Sequence, residues 1–146
     1  MKSLICALTL AMTLGGAQLA AARADATYVV VVSASNPVSS LSRDQASKLF
    51  LKKAATWSNG QEVAPVDQPE GSAVREAFTK AVLRKSVSAV KSYWQQQIFS
   101  GRAVPPTERP SDTEVLNFVR SNPAAIGYVS SSSVIGAGVK AVQLVE

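Results

Sequence analysis

Apolar positions along the chain fall into two spacings, one close to two residues and one close to three and a half. Tyr28 to Val32 is a near-continuous β-branched run, the pattern of a central strand covered on both faces, as in parallel sheets. Val63 to Val66 and Ala125 to Val129 read as further strands, and Val139 to Val145 as a last, alternating one. Between them the spacing is helical. Ser42-Arg43-Asp44-Gln45 is a capping box that opens a helix through Leu49, Phe50 and Leu51. Val74, Ala77, Phe78, Ala81 and Val82 form one face of a second helix, opened by Ser72. Ser86 caps a third, with Val87, Val90, Trp94 and Ile98 along one side and Ser100-Gly101 as its end. A proline-rich loop, Arg102 to Pro110, leads to a second capping box, Ser111-Asp112-Thr113-Glu114, then to Val115, Leu116 and Val119, and Pro123 closes that helix.

Strands alternating with helices predict an α/β fold: a small mixed, partly parallel sheet flanked by helices, with parallel pairings and right-handed crossovers. Ligands in such sheets gather at the carboxyl ends of the strands, which here means the turns after Val32, Val66 and Val129.

The first residues belong to a different pattern. Lys2, the short apolar run Leu4 to Leu14 and small residues up to Ala22-Arg23-Ala24 or Ala24-Asp25-Ala26 predict a secretory signal peptide over residues 1–24, or to 26, followed by one domain over 27–146. The run is too short to span a bilayer, which takes about 20 apolar residues, so the mature protein is expected in the periplasm and not embedded in a membrane. Cys6 is the one cysteine and lies inside that run, so the mature chain is held by packing alone, without disulfides. With no histidine in the chain, a Ser-His-Asp site is excluded, and with no mature cysteine so is a thiol nucleophile. Ser88-Ala89-Val90-Lys91 has the S-x-x-K form, but its companion motifs are missing. No enzyme is expected, and no cofactor. The net charge of +5 is mild, and Lys52-Lys53 and Arg84-Lys85 read as solvated helix ends. Without interleaved aromatic residues they do not make a nucleic-acid surface.

Candidate chemistry concentrates in Val63 to Phe78, where a strand passes through a Pro and Gly turn into the helix opened by Ser72. Such a turn presents N–H groups of Gly71, Ser72 and Ala73 at the positive end of the helix dipole, worth about half an elementary charge, and suits a small oxyanion. Arg75 stands in the first turn, where a cation meets that same positive end. Either a bound anion or a carboxylate, Asp67 or Glu70, would compensate it. Asp67, Glu70 and Glu76 would have to converge from a loop and a helix side to hold calcium, and no metal site is assigned to them. Serines 130 to 133 could line a pocket beside Tyr128, and Trp57 and Trp94 read as core anchors.

Three blocks, in order, resemble the phosphate-type periplasmic binding proteins of ABC transporters. Leu41 to Gln45, Leu49-Phe50-Leu51, Trp57 and Gly60 look like the segment L-t-x-x-Q, I-F-x-G-x-x-x-W. Glu70-Gly71-Ser72 resembles the D-G-S-G-T phosphate loop, with Phe78 placed like the phenylalanine after it. Asn122 to Val129 is similar to the strand N-P-G-A-I-G-Y-V. The resemblance implies one lobe of a type II binding protein, non-enzymatic binding of a phosphate-like oxyanion, and a membrane transporter or sensor as partner. Gly71, Ser72 and Ala73 would supply backbone donors, Ser72 a hydroxyl, and Gln68 and Arg75 outer contacts. Three positions depart from the pattern. Ala73 and Val74 replace glycine and threonine, and Gln68 replaces an arginine, so the bidentate charged pair of that residue is absent. A chain this short holds only one lobe, and closure over a ligand would need a second protein or a second copy, as in a homodimer. The alternative reading is a protein-interaction module that kept the fold without the ligand.

Overall fold

A computed structural model of the chain describes residues 27–146. The signal-peptide reading lies outside the described residues. In chain order the elements are β1 (Tyr28–Ser33), β2 (Ser40–Ser42), α1 (Arg43–Phe50), β3 (Ala64–Asp67), α2 (Ala73–Phe78), α3 (Val87–Phe99), β4 (Thr107–Glu108), α4 (Asp112–Ser121), β5 (Ala125–Ser130) and β6 (Val139–Val145). The α/β class holds, with six strands in the order β2-β6-β1-β5-β3-β4.

The β1 run is central, and its alternate residues serve two cores. Val30 and Val32 pack with Phe50, Phe78, Trp94 and Tyr128 on the face covered by α1, α2 and α3. Val31 packs with Val66, Val115, Val119 and Val129 under α4 on the other. Burial on both faces is therefore as the run predicts, but the pairing direction is not. β1 runs antiparallel to both β5 and β6, whereas β3 is parallel to β5 and to β4, and β2 to β6. A run buried on both faces requires cover on both sides and nothing about direction; here α4 supplies the second cover. One expectation falls with it: β1 ends opposite the start of β5, Val32 beside Ile126, so the turn after Val32 lies at the opposite edge from the turns after β3 and β5.

The helix starts are capped where expected: Ser42 and Gln45 close a reciprocal capping box, and Ser72, Ser86 and Ser111 each accept the N–H three residues on. The second capping box expected at Ser111 is only half made, because Ser111 accepts the Glu114 N–H but the Glu114 side chain makes no return bond to the Ser111 N–H. Beyond Phe78, α2 continues as a wider π-helical turn, Thr79–Leu83, that ends on Arg84 in the left-handed region, φ 54°. Trp57 and Trp94 are buried, and the Trp57 indole donates to the Ala124 carbonyl at 2.9 Å. Ile98 departs from its expected place: it is exposed together with Phe99 at the last turn of α3.

Among the described residues no helix is long and apolar enough to cross a membrane, and no group of three or more metal-ligating side chains converges.

Candidate functional site

β3 and β5 are parallel, so their carboxyl ends, Asp67 and Ser130, meet at one rim of the sheet, with Tyr28 at the start of β1 beside Ser130. The chain leaves β3 through Gln68-Pro69-Glu70-Gly71 and enters α2 at this rim. The start of α4 joins it from the other face, because the Asp112 carboxylate accepts the Ser130 N–H at 3.2 Å and the Ser133 hydroxyl at 2.6 Å.

α2 is fixed here by its far end. Phe78 lies flat on Tyr128, centroids 4.0 Å apart and planes at 8°, and meets Phe50 and Tyr28 edge-on. Offset and edge-on pairs of this kind add about 0.5–1.5 kcal/mol each beyond the area they bury. Val74, Ala77 and Ala81 are half-buried against the same cluster.

The five residues singled out by sequence divide into two groups. Gly71, Ser72 and Ala73 form an open corner. Gly71 and Ala73 are exposed, and a Cβ placed on Gly71 would touch nothing within 4 Å. The Ser72 N–H turns back to the Pro69 carbonyl at 2.9 Å, but among the described residues the N–H groups of Gly71, Ala73 and Val74 meet no acceptor. The first-turn donors of a helix are expected to be free unless something outside the helix takes them.

Gln68 and Arg75 instead point inward. Gln68 is 3% exposed, and its Nε2 donates to Asp112 Oδ1 at 2.8 Å and to the Tyr128 carbonyl at 3.1 Å. Its Oε1 accepts the Ser72 hydroxyl at 3.2 Å. Arg75 is 6% exposed and donates through Nη1 to the Gln68 carbonyl at 2.6 Å. Its guanidinium pairs with Asp67 at 3.2 Å and with Glu108 at 3.3 Å. The carboxylate foreseen for Arg75 is thus Asp67, while Glu70 goes to Lys91 at 3.4 Å on the surface. Asp67 also accepts from the Tyr128 phenol. Burial, and then the adjacent Asp67 carboxylate, push that phenol far above the ordinary tyrosine range, so it acts as a fixed donor.

Asp112 and Glu108 were not singled out by sequence. Both come from the segment between α3 and β5, and the only local signal was that Asp112 follows a cap serine, which is ordinary helix-start chemistry. The arrangement presents outward N–H donors on a base of saturated polar groups.

The fold is shared with larger proteins. A structure described as an ABC-type phosphate transport receptor from Vibrio cholerae matches at a TM-score of 0.63 and 23% identity, over 81% of this chain and 46% of that one. A putative phosphate ABC transporter substrate-binding protein with bound phosphate, from Clostridium perfringens, matches at 0.64 and 23%, over 81% and 44%. A possible phosphate-binding protein from Planctomyces limnophilus matches at 0.61 and 16%, over 82% and 42%. The chain spans less than half the length of each of these structures. No curated protein sequence matches it. The family described as a PBP superfamily domain matches residues 24–144, and the chain, with its one rim and its two-faced sheet, belongs to that family.

Proposed function

We propose that this chain is a non-enzymatic binding domain of the periplasm that holds a small phosphate-like oxyanion at the Gly71–Ser72–Ala73 corner, as part of an uptake or sensing system. The observation that carries the reading is the uncovered turn itself: unpartnered N–H groups of Gly71, Ala73 and Val74 on a helix start that the Phe78 cluster holds in place. The proteins with the same fold, described as phosphate transport proteins, support the ligand class. In this reading Ser72 caps the turn, and Gln68 and Arg75 support it from beneath.

Two N–H bonds to an anion, at about 2 kcal/mol each, total about 4 kcal/mol, which corresponds to a Kd of about 1 mM. An open single lobe is therefore a weak binder by itself, and a transporter, a sensor or a second copy would close over the ligand. Calorimetric titration with phosphate and sulfate, against chloride at equal ionic strength, tests this. Ala73→Pro removes one donor at the first helical position, where proline is accommodated, and Ser72 already has the extended backbone, φ −74° and ψ 127°, that a following proline requires. Saturable heats near millimolar anion, weakened about thirtyfold by Ala73→Pro, are expected. Baseline heats at tens of millimolar would leave the competing reading, a protein-interaction module. That reading is favoured by one observation, the exposed apolar group at the end of α3: Phe99 at 96%, Val104 at 62% and Ile98 at 53%.

A further inference from the structure

The last turn of α3 leaves large apolar side chains in water. Phe99 is 96% exposed and Ile98 53%, and Val104, in the loop that follows, is 62% exposed. The backbone beneath them is held. The Gly101 N–H bonds to the Ile98 carbonyl and the Arg102 N–H to the Gln97 carbonyl, each at 3.0 Å, so the chain folds back at Gly101, φ 68°, and keeps Arg102 beside the helix end. Ala103 then packs against the core and Pro106 is buried, which fixes the loop that displays Val104.

Charge is sorted around this tip. From Ala77 to Thr107 the sequence has five cations, Lys80, Arg84, Lys85, Lys91 and Arg102, and no carboxylate, so this one stretch carries a charge equal to the net +5 of the whole chain. All five are exposed, and among the described residues only Lys91 forms an ion pair, with Glu70. Glu70 and Glu76 reach the groove at the start of α3 that Lys80, Arg84 and Lys85 line, whereas Arg102 lies beyond them at the other end. Between those ends the exposed residues Ser88, Ser92, Gln95 and Phe99 follow at i, i+4, i+7 and i+11, so the outward stripe of α3 is uncharged and finishes on an aromatic ring.

We propose that α3 is a membrane-contact element, which lies on a bilayer rich in anionic phospholipid with its flanking cations at the headgroups and Phe99, Ile98 and Val104 in the acyl boundary. The chemistry favours this occupant over two others. A second copy docked on the same face would set two carboxylate-free stretches against each other, and like charges oppose that pairing. A protein partner would need a pocket shaped to a ring that stands almost free of its own chain, whereas an acyl boundary takes such a ring unshaped, and apolar side chains flanked by Lys and Arg are the composition of an interfacial anchor. The contact is separate from the Gly71–Ser72 corner and does not depend on what binds there.

Co-sedimentation with vesicles of phosphatidylcholine and phosphatidylglycerol in equal parts, against phosphatidylcholine alone, tests the proposal. Binding to the mixed vesicles, absent on the neutral ones and weakened by salt, is expected. Arg102→Ala should weaken it about fivefold, and Phe99→Ser at least tenfold. Arg120→Gln removes the same charge from α4, on the opposite face of the sheet, and should leave binding unchanged. Phe99→Trp should still bind, with its fluorescence quenched by brominated lipid beyond that of the wild type, whose Trp57 and Trp94 are buried. The substituted side chains are exposed, and circular dichroism checks that each variant is folded. No binding to the mixed vesicles at low salt would overturn the proposal and leave the α3 tip to a protein partner. Binding that Phe99→Ser does not weaken, or that Arg120→Gln weakens as much as Arg102→Ala, would also overturn it, because attraction of net charge would then suffice.

Discussion

Replacing Arg75 by alanine separates the two roles open to that residue, ligand contact and internal support. The Arg75 side chain is 7% exposed and its partner Asp67 14%, so both charges are largely out of water. Breaking a buried pair by removing one member costs about 3–5 kcal/mol, because the survivor is left desolvated and alone. The Gln68 carbonyl loses its 2.6 Å donor in the same substitution, which places the expected loss in the upper part of that range. For a domain of this size about 4 °C of melting midpoint goes with each kcal/mol, so a fall of roughly 16–20 °C is expected. Urea unfolding followed by circular dichroism gives the free energy directly, with an unchanged m-value as the sign that both end states are intact. Asp67→Asn and the double variant complete a cycle, for which a coupling of about 1–3 kcal/mol is expected between groups in direct contact. A loss under about 1 kcal/mol, or a coupling within about 0.3 kcal/mol of zero, would refute the assignment of Arg75 to the interior and return it to the solvent side of the corner.

Two further outcomes follow from the packing around the same rim. A methyl group at Gly127 would stand 2.6 Å from Val66 Cγ1 and 2.9 Å from Val115 Cγ1, so Gly127→Ala is expected to destabilise by about 1–3 kcal/mol in urea unfolding, with Val115→Ala relieving part of the loss; a neutral Gly127→Ala would contradict the close approach of α4 to β5. Burial raises all three tyrosine phenols, Tyr128 most, above the ordinary value of 10.0, so the folded chain retains protons that the unfolded chain releases. Stability is then unaffected by these groups below about pH 10 and falls as pH rises beyond it, and an ultraviolet titration showing a Tyr128 phenolate in the native state near pH 10 would contradict the assignment.

What sequence revealed and what it withheld have separate physical origins. The caps at Ser42, Ser72, Ser86 and Ser111 were legible because donor and acceptor lie three residues apart, and the central place of Tyr28 to Val32 was legible because an uninterrupted apolar run must be covered twice. Strand direction was not, since a run of valines reads the same for parallel and antiparallel partners. β2 and β4 are short and largely polar, and exposed residues such as Ser40, Thr107 and Glu108 carry no periodic signal. The exposure of Ile98 shows the limit of periodicity, which marks one face of a helix but not where its neighbours stop. At the rim the sequence pointed to Gln68, Gly71, Ser72, Ala73 and Arg75, whereas Asp112 and Glu108 gave no such signal because they are joined to Gln68 and Arg75 only through the folded sheet. The inward direction of Arg75 was half legible: the conflict with the helix dipole demanded a counter-charge, and two nearby carboxylates satisfied the demand on paper where only Asp67 does in space.

The pairing of the first strand with the last two has a kinetic meaning. Val30 is registered against Tyr128 on one side and Val142 on the other, so the middle of the sheet cannot assemble until almost the entire polypeptide is present. Bridging so long a loop brings the entropy penalty before any reward, which slows folding and makes it all-or-none. A nascent chain lacking its final strand would carry β1 with an open edge, a species that chaperones or proteases would meet before the native state exists.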